Sequence, residues 1–144
     1  YLFFAAGSGL LIGSATSYRL QREAALAAEF IVQEVRNASE LELLDGPPAQ
    51  PEQGYRYLYC DPGARAVARV DEGGGVVRRG AGVIEGLSFR IVRTQDGGRN
   101  LLRFRVATAS GGQAHELTSE VLLNNLSGKE PSEEKPGVKY KLPP

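Results

Sequence analysis

Residues 17–44 read SYRLQREAALAAEFIVQEVRNASELELL, a stretch that is dense in residues favouring helices. Its apolar positions recur in steps of three and four residues, which is the spacing of one helix face. The side chains on this face are Leu20, Ala24, Ala27, Ile31, Val35 and Ala38. We therefore predict an amphipathic helix whose apolar stripe, from Leu20 to Val35, packs against the rest of the protein.

The preceding residues 1–16, YLFFAAGSGLLIGSAT, carry no charge. This run is shorter than the roughly 20 apolar residues that span a bilayer, and it lacks the basic start and cleavage site of a secretory signal. No proline interrupts residues 1–46. We predict one helix from the first residue to about Leu44, ended by the sequence Asp45-Gly-Pro-Pro48. Such a helix is about 65 Å long, so part of it must project from the head.

Beyond Gly54 the hydrophobic period becomes that of strands. Short connectors rich in Gly and Asp separate the strands, which indicates hairpins and an antiparallel meander. The predicted strands are Tyr55–Cys60, Arg65–Val70, Val76–Arg79, Val83–Arg93, Asn100–Ala109 and Ala114–Leu123. The expected fold class is α+β, with the long helix packed on the meander.

Three segments follow from this pattern. Residues 1–46 form the helix, with an apolar part at 1–18 and an amphipathic part at 19–46 that packs on the head. Residues 47–127 form the β-sheet head. Residues 128–144 are polar and rich in proline, and they form either an extended surface strap or a disordered tail.

Composition excludes several classes of function. Lys and Arg number 17, as do Asp and Glu, so there is no cationic surplus for nucleic-acid binding. A single Cys and a single His leave no zinc site of the common kind and no intrachain disulfide. No phosphate-binding glycine motif or nucleophile elbow is present. We expect His115 to be an ordinary strand residue, and we expect no enzyme activity, cofactor or metal.

Two surface features remain open. Arginine alternates with apolar residues in the strands around Arg90 and Arg103, which is typical of a solvated sheet face but also compatible with a basic stripe. Asn37 and Asn125 each begin an N-glycosylation acceptor pattern. Asn37 lies in the predicted helix, whereas Asn125 precedes the polar tail and is the better candidate.

The combination of an uncharged apolar start, an amphipathic helical extension and an antiparallel head resembles the type IV pilin and pseudopilin family. The run Arg36-Asn-Ala38 is similar to the place where the helix meets the head in minor pseudopilins. The later order LSFRIV, LLRFRVAT and LTSEVLLNN is also similar to bacterial prepilin-type proteins. The resemblance covers residues 1–127.

The family pattern has a Glu at the fifth position of the mature chain, whereas position 5 here is Ala5. The first acidic residue is Glu23. We expect the sequence to begin inside the native helix, so that the family Glu and the peptidase site precede Tyr1. The alternative is a member of the family without that Glu.

The resemblance implies a structural subunit of an extracellular, cell-surface filament that polymerises with copies of itself as an open helical polymer. It also implies anchoring in the inner membrane before assembly, methylation, and contacts with other pilins and the assembly machinery. The expected filament core consists of Tyr1, Leu2, Phe3, Phe4, Leu10, Leu11 and Ile12.

Two other functions stay open at this point. One is a minor pseudopilin that initiates or tips a filament of a type II secretion or DNA-uptake system. The other is a membrane-anchored module whose arginine-rich strands bind an anionic ligand such as a glycan.

Overall fold

The computed structural model describes residues 15–80, 82–96 and 98–144. These residues form one helix and eight strands. The elements are α1 (Ala15–Val35), β1 (Glu40–Leu44), β2 (Arg56–Asp61), β3 (Ala66–Val70), β4 (Val76–Arg79), β5 (Ile84–Arg93), β6 (Asn100–Ser110), β7 (Gln113–Leu122) and β8 (Gly137–Lys141). The α+β class is therefore confirmed.

The helix ends at Val35, so the prediction that it continues to Leu44 is wrong. Residues 40–44 form strand β1 instead. Glu40, Leu41, Glu42 and Leu43 alternate polar and apolar side chains, which suits the two-residue period of a strand. Leu41 is buried while both glutamates are exposed. The turn Asp45-Gly-Pro-Pro48 thus follows a strand and does not cap a helix.

The six strands expected between residues 55 and 123 are confirmed, with ends that differ by one residue at most. The prediction of a single continuous meander is wrong, however. The strands form a five-stranded sheet in the order β1-β8-β2-β3-β4 and a three-stranded sheet in the order β5-β6-β7. All strand pairs are antiparallel. The chain leaves the first sheet at Gly80 and Gly82, whose positive φ angles turn it away from β4.

The last residues form neither a surface strap alone nor a disordered tail. Residues 128–136, here called the strap, run beside β5, where Lys135 and Phe89 exchange two backbone hydrogen bonds of 2.7 and 2.9 Å. Residues 137–141 then form β8 between β1 and β2. Val138 and Tyr140 of β8 are fully buried. A five-residue strand with lysine at alternate positions carries too few apolar side chains to reveal its burial in the sequence.

Helix α1 packs on β6 and β7, and both sheets contribute to the same hydrophobic core. Phe89 and Phe104 from the three-stranded sheet lie 6.5 Å apart between ring centroids. Leu58 and Val67 from the five-stranded sheet are completely buried in the same cluster. The helix, the two sheets and β8 therefore depend on one another for burial.

Candidate functional site: the two faces of the helix and its junction with the sheets

The buried face of α1 lies on the sheets. The predicted packing residues Leu20, Ala24, Ala27, Ile31 and Val35 are each at most 1% exposed. The alanines keep the helix close to the strands because they add little bulk. Thr108 of β6, also buried, donates a hydrogen bond of 3.2 Å from its Oγ1 to the carbonyl oxygen of Leu20. This face holds the helix in a defined position on the head.

The opposite face of α1 carries large apolar side chains that the head does not cover. Tyr18 is 69% exposed and Leu26 is 54% exposed. They are eight residues apart, a separation that places them on one face of a helix. The described part of the chain thus has a helix that is buried on one face and presents Tyr18 and Leu26 to solvent on the other.

The seven residues expected to form a filament core, from Tyr1 to Ile12, lie outside the described residues. Within the described part of the chain, no helix has the length and hydrophobicity needed to cross a membrane. The membrane anchor and the filament core therefore remain predictions from the sequence.

The carboxyl-terminal turn of α1 is fixed to three strands by Glu34. Its Oε1 accepts hydrogen bonds from Nη1 of Arg56 at 3.0 Å and from the phenol of Tyr140 at 2.6 Å. Its Oε2 accepts one from Nη1 of Arg69 at 2.8 Å. These four residues, here called the Glu34 junction, join α1 to β2, β3 and β8. The Glu34 side chain is 12% exposed, so these contacts are largely shielded from water.

Both arginines of the junction have a second carboxylate partner. Arg56 bonds to Glu72 at 2.9 Å, and Arg69 bonds to Asp71 at 2.7 Å. The charges of the two guanidinium groups are therefore matched by three carboxylates. Such charge-assisted bonds are stronger than neutral ones and fix the geometry of the groups that make them.

The ring of Phe30, one turn before Glu34, lies beside the same group of cations. The guanidinium carbon of Arg69 is 5.7 Å from the ring centroid, and that of Arg79 is 5.2 Å away. These distances are within the range of cation–π attraction. The end of the helix is thus held to β3 and β4 as well as to β8.

Burial strongly raises the pKa of Tyr140, and its hydrogen bond to the Glu34 carboxylate raises it further. The phenol therefore keeps its proton across the whole physiological pH range and can donate this hydrogen bond. Because the acceptor is a carboxylate, ionising Tyr140 would place two negative charges together inside the protein. The Glu34 carboxylate already accepts three hydrogen bonds from within the protein, so we assign the junction a structural role.

A second set of contacts follows the helix end. The backbone N–H of Asn124 donates to the carbonyl of Arg36 at 2.9 Å. Asn125, the candidate glycosylation residue, is exposed. Its Nδ2 donates a hydrogen bond of 2.8 Å to the carbonyl of Asn37. Glycosylation of Asn125 stays a prediction.

Two arginines on the outer face of the three-stranded sheet, Arg103 and Arg105, have acidic neighbours. Arg103 pairs with Glu120 at 2.6 Å, and Arg105 pairs with Glu134 and Glu116. At the end of β5, Arg93 pairs with Glu130 of the strap at 3.0 Å. These ion pairs match the interpretation of the arginine-rich strands as a solvated face, and they compete with any anionic ligand.

The residues with possible chemistry do not converge. Cys60 is half-buried, and this burial raises the pKa of its thiol, which lowers its reactivity at neutral pH. Burial lowers the pKa of His115 in β7. Across the described residues, no three His, Cys, Asp or Glu side chains are grouped so as to hold a metal ion.

The arrangement of one helix on antiparallel sheets has a counterpart among solved structures. The structure superposes on the PilB minor pilin from Streptococcus sanguinis with a TM-score of 0.66. The chain has a pilin-like fold. The resemblance to type IV pilins and pseudopilins is thereby confirmed at the level of the fold, although the two sequences are only 12% identical.

The superposition covers 89% of this chain and 35% of that minor pilin, so the matched region spans about a third of the length of that protein. No protein-family model matches the sequence, and no curated protein matches it.

Sequence reasoning missed the Glu34 junction. Glu34 was one of several charges beside the apolar stripe, and its partners come from three strands that are distant in sequence. A weak signal was present, because Glu34 lies one residue before the buried Val35 and four residues after Phe30. Nothing in the sequence indicated that Tyr140, in a polar segment, would be the third partner.

Proposed function

We propose that this protein is a structural subunit of a pilus-like filament and polymerises through its apolar N-terminal segment. The proposal is carried by one observation on the helix of this pilin-like fold. One face of the helix is buried on the sheets, and the other face exposes Tyr18 and Leu26. In sequence, the uncharged run of residues 1–16 leads into this helix, which begins at Ala15.

The mechanism is the burial of apolar surface between copies. Each buried CH₂ group contributes about 0.8 kcal/mol, and the N-terminal run offers seven large apolar side chains, from Tyr1 to Ile12. Before assembly, the membrane covers this surface. In the filament, the corresponding segments of neighbouring copies cover it, and the heads form the outer wall. The contact is heterologous and does not close on itself, so it yields an open helical polymer.

The fixed position of the helix on the head supports this mechanism. A filament requires each copy to present its helix at the same angle, because small errors accumulate along the polymer. The buried stripe and the Glu34 junction hold the helix against both sheets. The head thus carries a helix of defined direction, which is what repeated stacking needs.

A second candidate within the same class is a minor subunit that initiates or tips the filament. The fold neighbour is itself described as a minor pilin, which favours this candidate. The copy number of the chain in purified filaments distinguishes the two roles. A bulk subunit dominates the mass of the filament, whereas a tip subunit occurs in a few copies per filament.

The test is the full chain with Leu11→Asp, examined by electron microscopy for filaments that contain it. We expect the variant to be absent from filaments, because a charge in the apolar core costs several kcal/mol. Leu11→Ile is the matched control and should assemble normally. Circular dichroism should show equal head stability in both. Normal filaments from Leu11→Asp would contradict the assignment of the core.

A further inference from the structure

Strand β1 lies at one edge of the five-stranded sheet. It pairs with β8 on one side, and within the described part of the chain no strand pairs with its other side. An edge strand presents N–H and C=O groups that can pair with another chain. The free edge of β1 contains no proline and no bulge over Glu40–Leu44, so its backbone is regular.

An open groove of about 660 Å³ borders β1 along residues 39–43. Its volume lies within the range of sites that hold small ligands or short peptide segments. Besides β1, the groove is lined by Ile91 of β5, by Leu126, and by Lys129 and Lys135 of the strap. The groove therefore leaves space beside the free edge of β1 for an added strand.

The side chains of β1 define what such a strand must carry. On the outer face, Glu42 lies opposite Lys139, but Lys139 bonds to Glu52 at 3.2 Å instead. Glu40 on the same face accepts a hydrogen bond from the phenol of Tyr55. A strand added at the free edge would meet these two carboxylates on its outer face, so cationic side chains are favoured there.

On the core side, Leu41 is already buried and Leu43 is partly buried, so apolar side chains are favoured beside them, while Lys129 and Lys135 disfavour further cations. Strand β8, which occupies the opposite edge of β1, already shows this pattern. Its Val138 and Tyr140 point into the core, while Lys139 and Lys141 lie on the outer face opposite Glu42 and Glu40.

We propose that the free edge of β1 binds an extended segment of a partner polypeptide in which apolar and cationic side chains alternate. The segment would add a sixth strand to the sheet by backbone pairing. Pairing of β1 with β1 of a second copy would place glutamates near glutamates and is disfavoured. This inference concerns the head alone and does not depend on filament formation.

The experiment uses the full chain and two fluorescent peptides. One copies the β8 pattern, Gly-Val-Lys-Tyr-Lys-Leu, and the other has Glu in place of both lysines. We expect saturable binding by fluorescence anisotropy, with the lysine peptide preferred roughly threefold, the effect of cross-strand charge pairs. Hydrogen exchange should slow at those amides of residues 40–44 that point to the free edge when the peptide binds.

Glu42→Lys should remove the peptide preference, because the added cation offsets the remaining Glu40, and Glu42→Gln should reduce it. Glu85→Lys, an exposed change on β5 away from the groove, is the matched control and should retain it. The proposal is overturned by the absence of saturable binding, by protection elsewhere than β1, or by an unchanged preference in Glu42→Lys. Faster exchange in β8 would show displacement of β8 and would overturn addition at the free edge.

Discussion

The phenol of Tyr140 donates a 2.6 Å hydrogen bond to the carboxylate of Glu34, although the two residues are 106 positions apart in the chain. Glu34 belongs to the last turn of α1, and Tyr140 belongs to the strand inserted between β1 and β2. The bond therefore joins the helix to the last strand of the sheet. We therefore expect this bond to contribute to the stability of the head and to the direction of the helix.

Replacement of Glu34 should destabilise the head. Glu34→Gln keeps the shape of the side chain but removes the charge shared by Arg56 and Arg69. Because both arginines keep a second carboxylate, we expect a loss of about 2 kcal/mol, below the full cost of breaking a buried pair. Urea unfolding measures this loss. Glu29→Gln, on an exposed part of the same helix, should stay within about 0.5 kcal/mol of wild type; an equal effect would contradict the role of the junction.

The stability of the head should decline in alkaline solution through Tyr140. The phenol of the unfolded chain ionises near its ordinary pKa of 10.0, whereas burial and Glu34 raise the pKa in the folded state. Above about pH 10 the folded state then binds more protons than the unfolded state, so stability falls as pH rises. Below about pH 10, the stabilisation that protonated Tyr140 provides is fully present.

Tyr140→Phe removes this titration together with the hydrogen bond. At about pH 8 the variant should be less stable than wild type by about 1.5 kcal/mol, the low end for a bond to a charged group. The difference should shrink by about pH 11, because only wild type loses the contribution. Urea unfolding at both pH values measures it, and Tyr59→Phe controls for loss of a phenol. A gap that is equal at both pH values would refute this account.

Removal of residues 137–144 should prevent cooperative folding of the head. The deletion takes out β8, and with it two buried side chains and the hydrogen bonds to both β1 and β2. We expect a loss of more than about 5 kcal/mol, which equals the whole stability of many domains. Thermal unfolding by circular dichroism tests this. Deletion of the exposed Pro143 and Pro144 alone should leave the transition unchanged, and a folded chain without β8 would contradict the central place of this strand.

The exposed face of α1 should matter for assembly and not for folding. Leu26 is 54% exposed, so Leu26→Glu should change the free energy of unfolding by less than about 0.5 kcal/mol. If neighbouring helices bury this face, the same variant should form far fewer filaments. Val76→Glu makes the same kind of change at an exposed position of β4 and should assemble as wild type. Filament yields that are equal for the two variants would exclude a contact at Leu26.

The sequence by itself determined the elements whose side chains repeat at a regular interval. The stripe from Leu20 to Val35 specified which face of the helix is buried, and the alternation in Leu87–Val92 and Leu102–Val106 specified two strands of the sheet. These features are local, since each depends on residues within one element and on the turn residues beside it. The expected filament core between Tyr1 and Ile12 also came from local pattern, and it stays a prediction.

Only the tertiary structure decided where the helix ends, how the strands divide into two sheets, and what joins them. Residues 40–44 contain good helix formers, yet they become a strand because β8 supplies a partner from the far end of the chain. The Glu34 junction likewise assembles from α1, β2, β3 and β8. The physical reason is that strand pairs and buried ion pairs draw their free energy from residues that are distant in sequence, so no window of the sequence contains both partners.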